Sequence, residues 1–133
     1  MTKLIKQHTG SDCVLACIAM AFGRSDVLDV FTQEDIDRVV AKNGTHVDTE
    51  LEKQGLVADV DFIDRSVYSG TDQDTVKALL WGRRAILSVM SLNINNGQHA
   101  IYWDGEQIYD PSTLRTFEHL STVLLKGYTI FKD

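Results

Sequence analysis

The longest apolar stretch of the chain runs from Cys13 to Phe22, and it follows directly on a polar segment. An apolar run without a charged side chain on any face predicts a buried helix. Ser11 and Asp12 are residue types that favour the N-cap position, and Gly23 is a typical helix stop. We therefore predict a buried central helix that begins at Cys13.

Amphipathic segments with helical spacing follow this helix. Residues 32–43 begin with a threonine, carry acidic residues in the first turn and end with a lysine before Asn-Gly, as the helix dipole favours. A second segment, 45–54, predicts a short helix that ends at Gly55. A third predicts a helix through Val76–Trp81 that ends at Gly82. Helices thus dominate the first half of the chain.

The second half changes to the pattern of β-strands. Residues 84–92 are rich in β-forming residues and predict a strand buried on both faces. The runs 99–103 and 107–110 flank an Asp-Gly pair, which is a strong signal for a β-hairpin. Residues 128–131 predict a final strand. These strands are close enough in sequence to form an antiparallel sheet.

Three remaining segments give weaker signals. Residues 56–63 alternate weakly and predict one earlier strand, 65–74 predict a polar loop, and 116–125 predict a short helix. Helices that precede an antiparallel sheet define an α+β fold. The length of 133 residues suits a single domain, 1–133.

Composition and charge narrow the function classes. The net charge is -6 and no basic run is longer than Arg83-Arg84, which argues against a nucleic-acid partner. The 13–22 run is too short to span a bilayer, and Lys6 is not followed by an apolar signal region, which predicts a cytoplasmic protein without membrane contact. Cys13 and Cys17 match neither a disulfide nor a structural zinc spacing, so no metal or cofactor is expected.

Cys13 is the first candidate for chemistry. It lies on the first turn of the predicted helix, where unpaired backbone N–H groups create a partial positive charge. This charge favours the thiolate, which is the form of cysteine that attacks a carbonyl carbon. Packing is the alternative interpretation, because free cysteines are among the most buried residue types. It suits Cys17, which lies deeper in the apolar run.

The hairpin supplies two further candidates. If it closes with a two-residue turn at Asp104-Gly105, His99 lies directly opposite Asp110, with Cβ atoms about 5 Å apart. A turn longer by two residues would place Ser112 there instead. Thiol acyl transfer needs a histidine to accept the thiol proton and a third group to orient it. Taken alone, His99 could be a solvent-exposed histidine at a strand end, and Asp110 could be an ordinary turn residue. Their occurrence together with Cys13 favours a catalytic role.

A family resemblance rests on Gln7, Asp12-Cys13, the run Leu15–Met20, Gln98-His99-Ala100-Ile101 and Asp110-Pro111. In order and spacing these residues resemble papain-like cysteine peptidases, and more narrowly those that trim double-glycine leaders from bacteriocin precursors. The resemblance covers almost the full chain. It implies a papain-like fold with Cys13 as nucleophile, His99 as general base and acid, and Asp110 as the residue that orients His99. It also implies Gln7 as an oxyanion-hole donor, together with the Cys13 backbone N–H.

Two features depart from that family. A glycine usually follows the nucleophile, whereas this chain has Val14, whose β-branched side chain is expected beside the thiol and the substrate channel. Leader-trimming members also commonly precede a membrane transporter, whereas we expect a free-standing domain here.

We therefore expect a bacterial or phage cysteine peptidase that cleaves a peptide or isopeptide bond through a Cys-His-Asp triad and a thioester. Its expected partner is a peptide or protein substrate. An amidase, an acyltransferase or a deamidase with the same triad, and a non-catalytic peptide-binding module on the same scaffold, are the alternatives.

Overall fold

The computed structural model describes residues 4–67, 71–90, 98–112, 115–117, 120 and 123–132. The helices in these ranges are α1 (Cys13–Ala21), α2 (Gln33–Ala41), α3 (Val47–Lys53) and α4 (Thr71–Leu80), with short 3-10 turns at Val27–Asp29 and Val57–Asp59. The strands are β1 (Val60–Ser66), β2 (Ala85–Met90), β3 (Gln98–Trp103), β4 (Ile108–Asp110), β5 (Arg115–Phe117) and β6 (Leu125–Phe131).

The described strands form one sheet in the order β1-β6-β2-β3-β4-β5. Each of its strand pairs is antiparallel. The α+β class predicted from the sequence is therefore confirmed. The final strand lies inside the sheet, between β1 and β2, rather than at its edge.

Helix α1 is buried as predicted, because every residue from Val14 to Ala21 is shielded from solvent. It packs with residues of α2 and α3 and with the sheet side chains Ile86 and Tyr102. The opposite face of the sheet packs under Leu80 of α4. Apolar side chains thus cover both faces of the sheet, as the sequence of β2 predicted.

Strand β2 shows this alternation directly. Ile86 belongs to the apolar cluster around α1, whereas Ala85 and Leu87 belong to the cluster under α4. Successive side chains of a strand point to opposite faces, so a strand covered on both sides carries apolar residues on both faces. Residues 91–92 of the predicted strand lie outside the described residues.

The less regular segments differ from the prediction. The polar loop expected over 65–74 is wrong at both of its ends, because β1 continues to Ser66 and α4 already begins at Thr71. The helix predicted over 116–125 is wrong at its start, where β5 pairs with β4. At its end β6 already begins at Leu125. Pairing with a neighbouring strand decided the conformation of these segments, and their local sequence does not encode it.

The hairpin between β3 and β4 closes with a longer turn than predicted. Tyr102 pairs with Tyr109, which leaves residues 104–107 as the connection. Asp104 explains the length, because its Oδ1 accepts the backbone N–H groups of Glu106 and Gln107, each at 2.8 Å. Such a side-chain-to-backbone turn stabilises a wider loop than a two-residue hairpin.

The turn at Gly105 provides a first test of the fold. Its φ is +106°, and a Cβ there would lie 3.1 Å from the Gly82 carbonyl carbon. We expect Gly105→Ala to lower the free energy of unfolding by about 2–3 kcal/mol, because it combines backbone strain with overpacking. Urea unfolding measures the loss.

Gly55→Ala is the matched control for this substitution. Gly55 also has a positive φ, +69°, but nothing lies within 4 Å of the position that a Cβ would take there. The control is expected to cost about 1–2 kcal/mol, which is the backbone term alone. Equal losses in the two variants would contradict the close approach of the hairpin turn to Gly82.

Candidate active site

The two cysteines occupy different environments. Cys13 is the first residue of α1 and is partly exposed, whereas Cys17, one turn further on, is buried. Burial raises the pKa of the Cys17 thiol well above its usual range, and the neighbouring Cys13 and Asp110 raise it further. Cys17 is therefore a packing residue, and Cys13 is the thiol that solvent can reach.

His99 and Asp110 meet as the sequence predicted, but not through the predicted register. The Nε2 of His99 lies 2.7 Å from Oδ1 of Asp110, and their side chains are only 18% and 14% exposed. Continuing the pairing of Tyr102 with Tyr109 places Asp110 opposite Ile101. Direct opposition to His99 is therefore wrong, and the two residues are diagonal neighbours, which long side chains can bridge.

The imidazole of His99 has a strongly perturbed pKa. Burial works to lower it, but the hydrogen bond with Asp110 and the interactions with the Cys13 thiol outweigh burial and raise the pKa of His99 to about 9. The structure thus brings Cys13, from the start of α1, together with His99 from β3 and Asp110 from β4. Because Nε2 faces Asp110, Nδ1 is the ring nitrogen left for the thiol.

Ser112, which the sequence placed opposite His99 only if the turn were longer by two residues, is a further site residue. Its backbone N–H and its hydroxyl donate to Oδ1 of Asp110, at 2.9 Å and 2.7 Å. Burial alone would raise the pKa of Asp110, but the hydrogen bonds from His99 and Ser112 hold it below its usual value. The available signal was the Asp-x-Ser spacing, since aspartate often bonds the backbone two residues on.

Gln7 is joined to the same turn through its backbone. Its N–H donates to the Pro111 carbonyl at 3.1 Å, directly after Asp110 in the chain. Its side-chain Nε2 donates to the Thr9 carbonyl at 2.6 Å. Its Oε1 is buried and has no hydrogen-bond partner among the described residues. The predicted oxyanion-hole residue therefore lies on the segment that connects the Asp110 turn to α1.

Asp12 occupies the N-cap position of α1, as predicted, but its side chain does not cap the helix. The carboxylate instead accepts the backbone N–H groups of His8 and Thr9. The capping interpretation is therefore wrong for the side chain, because the preceding loop folds back and supplies closer donors.

Val14, the residue after the candidate nucleophile, is buried. It is 7% exposed and belongs to the apolar cluster around α1. Whether its branched side chain bears on the substrate channel therefore stays a prediction.

Within the described parts of the chain, no group of three or more histidine, cysteine, aspartate or glutamate side chains is arranged to hold a metal ion. The described helices also include none that is long and apolar enough to cross a bilayer.

Comparisons with protein-family models, curated proteins and solved structures found no match to this chain. The function must therefore be inferred from the geometry of the site.

The His99 pKa predicts a pH dependence of stability. The native imidazole retains its proton up to about pH 9, whereas the unfolded one releases it near 6.5. Between these values only the native state binds the proton, so stability present below pH 6.5 is lost as the pH rises to about 9. The loss is up to about 3 kcal/mol.

Urea unfolding of the wild type and of His99→Gln across this range measures the effect. The wild type is expected to lose more stability than the variant on going from low to high pH. Parallel curves would show that native His99 titrates like an unfolded histidine.

Proposed function

We propose that the protein is a thiol hydrolase that cleaves a peptide or isopeptide bond through Cys13, His99 and Asp110. The observation that carries this proposal is the 2.7 Å contact between His99 and Asp110, with the imidazole also interacting with the thiol of Cys13. A cysteine at a helix start with a histidine that a carboxylate orients is the arrangement that nucleophilic acyl transfer requires.

In the first half of the reaction, the Cys13 thiolate attacks the substrate carbonyl carbon, and a C–S bond forms. The carbonyl oxygen becomes an oxyanion, for which the Gln7 amide and the Cys13 backbone N–H are the proposed donors. The C–N bond then breaks, and His99 gives its proton to the departing amine. The product of this half is a thioester on Cys13.

In the second half, a water molecule loses a proton to His99 and attacks the thioester carbonyl. The C–S bond breaks, the acid product leaves, and the Cys13 thiolate is restored beside the protonated imidazole. Asp110 keeps the N–H of Nε2 directed towards itself, so that Nδ1 exchanges protons with the thiol and the water. Burial of the His99–Asp110 pair strengthens this interaction relative to a pair in water.

The scaffold is part of the same proposal. A nucleophile at the N-terminus of a buried helix, with its base and orienting carboxylate on an antiparallel sheet, supports the papain-like fold expected from the motifs. The order of the motifs resembles that of the papain-like peptidases that process bacteriocin leaders. A peptide substrate is accordingly the class that we propose.

Cleavage of a peptide library, followed by mass spectrometry, tests the proposal. The wild type is expected to cleave a subset of peptides, and Cys13→Ala is expected to cleave none. Cys17→Ala is the matched control, because Cys17 is buried, and we expect it to retain most of the activity. Added hydroxylamine should convert part of the product to a hydroxamate, since it intercepts thioesters.

The result also separates the alternatives. Transfer of the acyl group to an added amine in preference to water would indicate an acyltransferase, and release of ammonia from glutamine would indicate a deamidase. Binding of peptides by wild type and Cys13→Ala alike, without cleavage, would contradict the hydrolase and support a peptide-binding module.

A further inference from the structure

Asp12 is a buried charge that the proposed mechanism does not use. Its side chain is completely buried, at 0% exposure, directly before the nucleophile in the chain. Burying a carboxylate is costly unless donors surround it, so its partners show what the charge stabilises. Its backbone carbonyl accepts the Ala16 N–H at 3.1 Å, which starts α1.

The partners of the Asp12 carboxylate all belong to the loop before the helix. Oδ2 accepts the backbone N–H of His8 at 2.8 Å. Oδ1 accepts both the backbone N–H and the hydroxyl of Thr9, at 2.6 Å and 2.8 Å. Charge-assisted hydrogen bonds of this kind are about twice as strong as neutral ones. Asp12 thus fixes the position of Thr9.

Thr9 in turn fixes the side chain of Gln7. Its carbonyl accepts Nε2 of Gln7 at 2.6 Å, while the Gln7 backbone is held by the Pro111 carbonyl. An amide nitrogen carries two hydrogens, so one remains for a substrate oxygen. If the Gln7 amide were flipped, its Oε1 would face the carbonyl oxygen of Thr9, and two acceptors would lie against each other. The Thr9 carbonyl therefore determines which end of the amide carries the donor.

This orientation has a cost that supports a functional role. Oε1 of Gln7 is buried without a partner among the described residues. An unsatisfied buried acceptor costs about 1–3 kcal/mol, and such groups often mark functional constraint. The loop therefore holds the donor of Gln7 in place at the expense of its acceptor.

We propose that Asp12 is a positioning residue for the oxyanion hole, which acts through Thr9 to orient the Gln7 amide; this inference rests on the proposed function. Asp12 does not touch the reacting atoms. It sets the loop of residues 7–11 so that a hydrogen-bond donor is in place before charge develops on the substrate oxygen, as oxyanion stabilisation requires.

The test compares two reactions of Cys13 that differ in their need for an oxyanion hole. Acylation by p-nitrophenyl acetate passes through an oxyanion, whereas alkylation by iodoacetamide does not. Asp12→Asn is expected to slow acylation by at least about tenfold, since a lost donor costs about 10²–10³-fold. Alkylation should change by less than about twofold, because the thiol and His99 are unaltered.

A double-mutant cycle identifies the route of the effect. If Asp12 acts through Gln7, Gln7→Ala combined with Asp12→Asn should acylate no more slowly than Gln7→Ala alone. Additive losses would overturn the proposal. A parallel fall of acylation and alkylation in Asp12→Asn would overturn it too, because Asp12 would then act on the thiol.

A milder pair of variants guards against loss of folding in Asp12→Asn. Thr9→Val removes the hydroxyl that donates to Asp12, and Thr9→Ser retains it. We expect Thr9→Val to lower the ratio of acylation to alkylation and Thr9→Ser to restore it; equal ratios would overturn the proposal. If the wild type does not acylate faster than Cys13→Ala, the hydrolase function itself fails, and the positioning role fails with it.

Discussion

Replacing His99 by glutamine is expected to lower kcat/KM for any peptide that the wild type cleaves by about 10³-fold or more. Glutamine is similar in size and can bond Asp110, but it neither accepts the thiol proton nor returns it to the leaving amine. The loss should fall mainly on kcat, because the imidazole acts on proton transfer rather than on substrate binding.

His46→Gln is the matched control for this variant. His46 is exposed and its side chain makes no capping hydrogen bond at the start of α3. The same chemical change there should leave kcat/KM unaltered. If His99→Gln retained more than about a tenth of the wild-type activity, proton transfer by the imidazole would be ruled out as a principal step.

Replacing Glu50 by alanine is expected to cause a large loss of stability without a direct effect on the site. Glu50 is fully buried, and its two carboxylate oxygens accept Nη1 and Nη2 of Arg38 at 3.0 Å and 2.7 Å. Thr45 donates its hydroxyl to the same carboxylate at 2.6 Å. Removing one partner of a buried ion pair costs about 3–5 kcal/mol.

The expected loss of unfolding free energy in Glu50→Ala lies at the lower end of that range, because Arg38 is partly exposed. Its side chain is 25% exposed, so water can compensate in part for the missing carboxylate. Glu52→Ala on the same helix is the control, because Glu52 is exposed, and it should change the unfolding free energy by less than about 0.5 kcal/mol. Similar urea midpoints for the two variants would contradict the structural role of the pair.

The contribution of Glu50 to the free energy of unfolding should also depend on pH. Burial raises its pKa, but the hydrogen bonds from Arg38 and Thr45 outweigh burial and hold the pKa below its usual value. A lowered carboxyl pKa contributes stability at neutral pH that disappears as the pH falls through the native pKa. The difference in free energy of unfolding between the wild type and Glu50→Ala should therefore become smaller as the pH is lowered.

The features that sequence could predict are those that local chemistry determines. The run after Cys13 has no polar face, so burial was the only way to accommodate it as a helix. The sequence also distinguished the roles of the two cysteines, because Cys17 lies further inside the apolar run than Cys13. The contact between His99 and Asp110 was predicted from a strong hairpin signal. The observed register is shifted by two residues, but it still brings the two side chains together.

The features that sequence could not provide depend on contacts between distant or competing groups. The turn length changed because Asp104 bonds two backbone amides, which outweighed the Asp-Gly preference for a tight turn. Asp12 was expected to cap α1, since no pattern shows that the loop would offer it closer donors. The pairing of Arg38 with Glu50 joins two helices and has no local signature.

The most direct test of the active site follows the rate of Cys13 alkylation by iodoacetamide as a function of pH. Both proteins carry Cys17→Ala, and one of them also carries His99→Gln. In the proposed mechanism His99 takes up the thiol proton, so the protein with His99 should react about tenfold faster at pH 7. The two profiles should converge as the pH rises above about 9, where His99 loses its proton. Superimposable profiles across the whole range would show that His99 and Cys13 do not act together, and would contradict the proposed catalytic site.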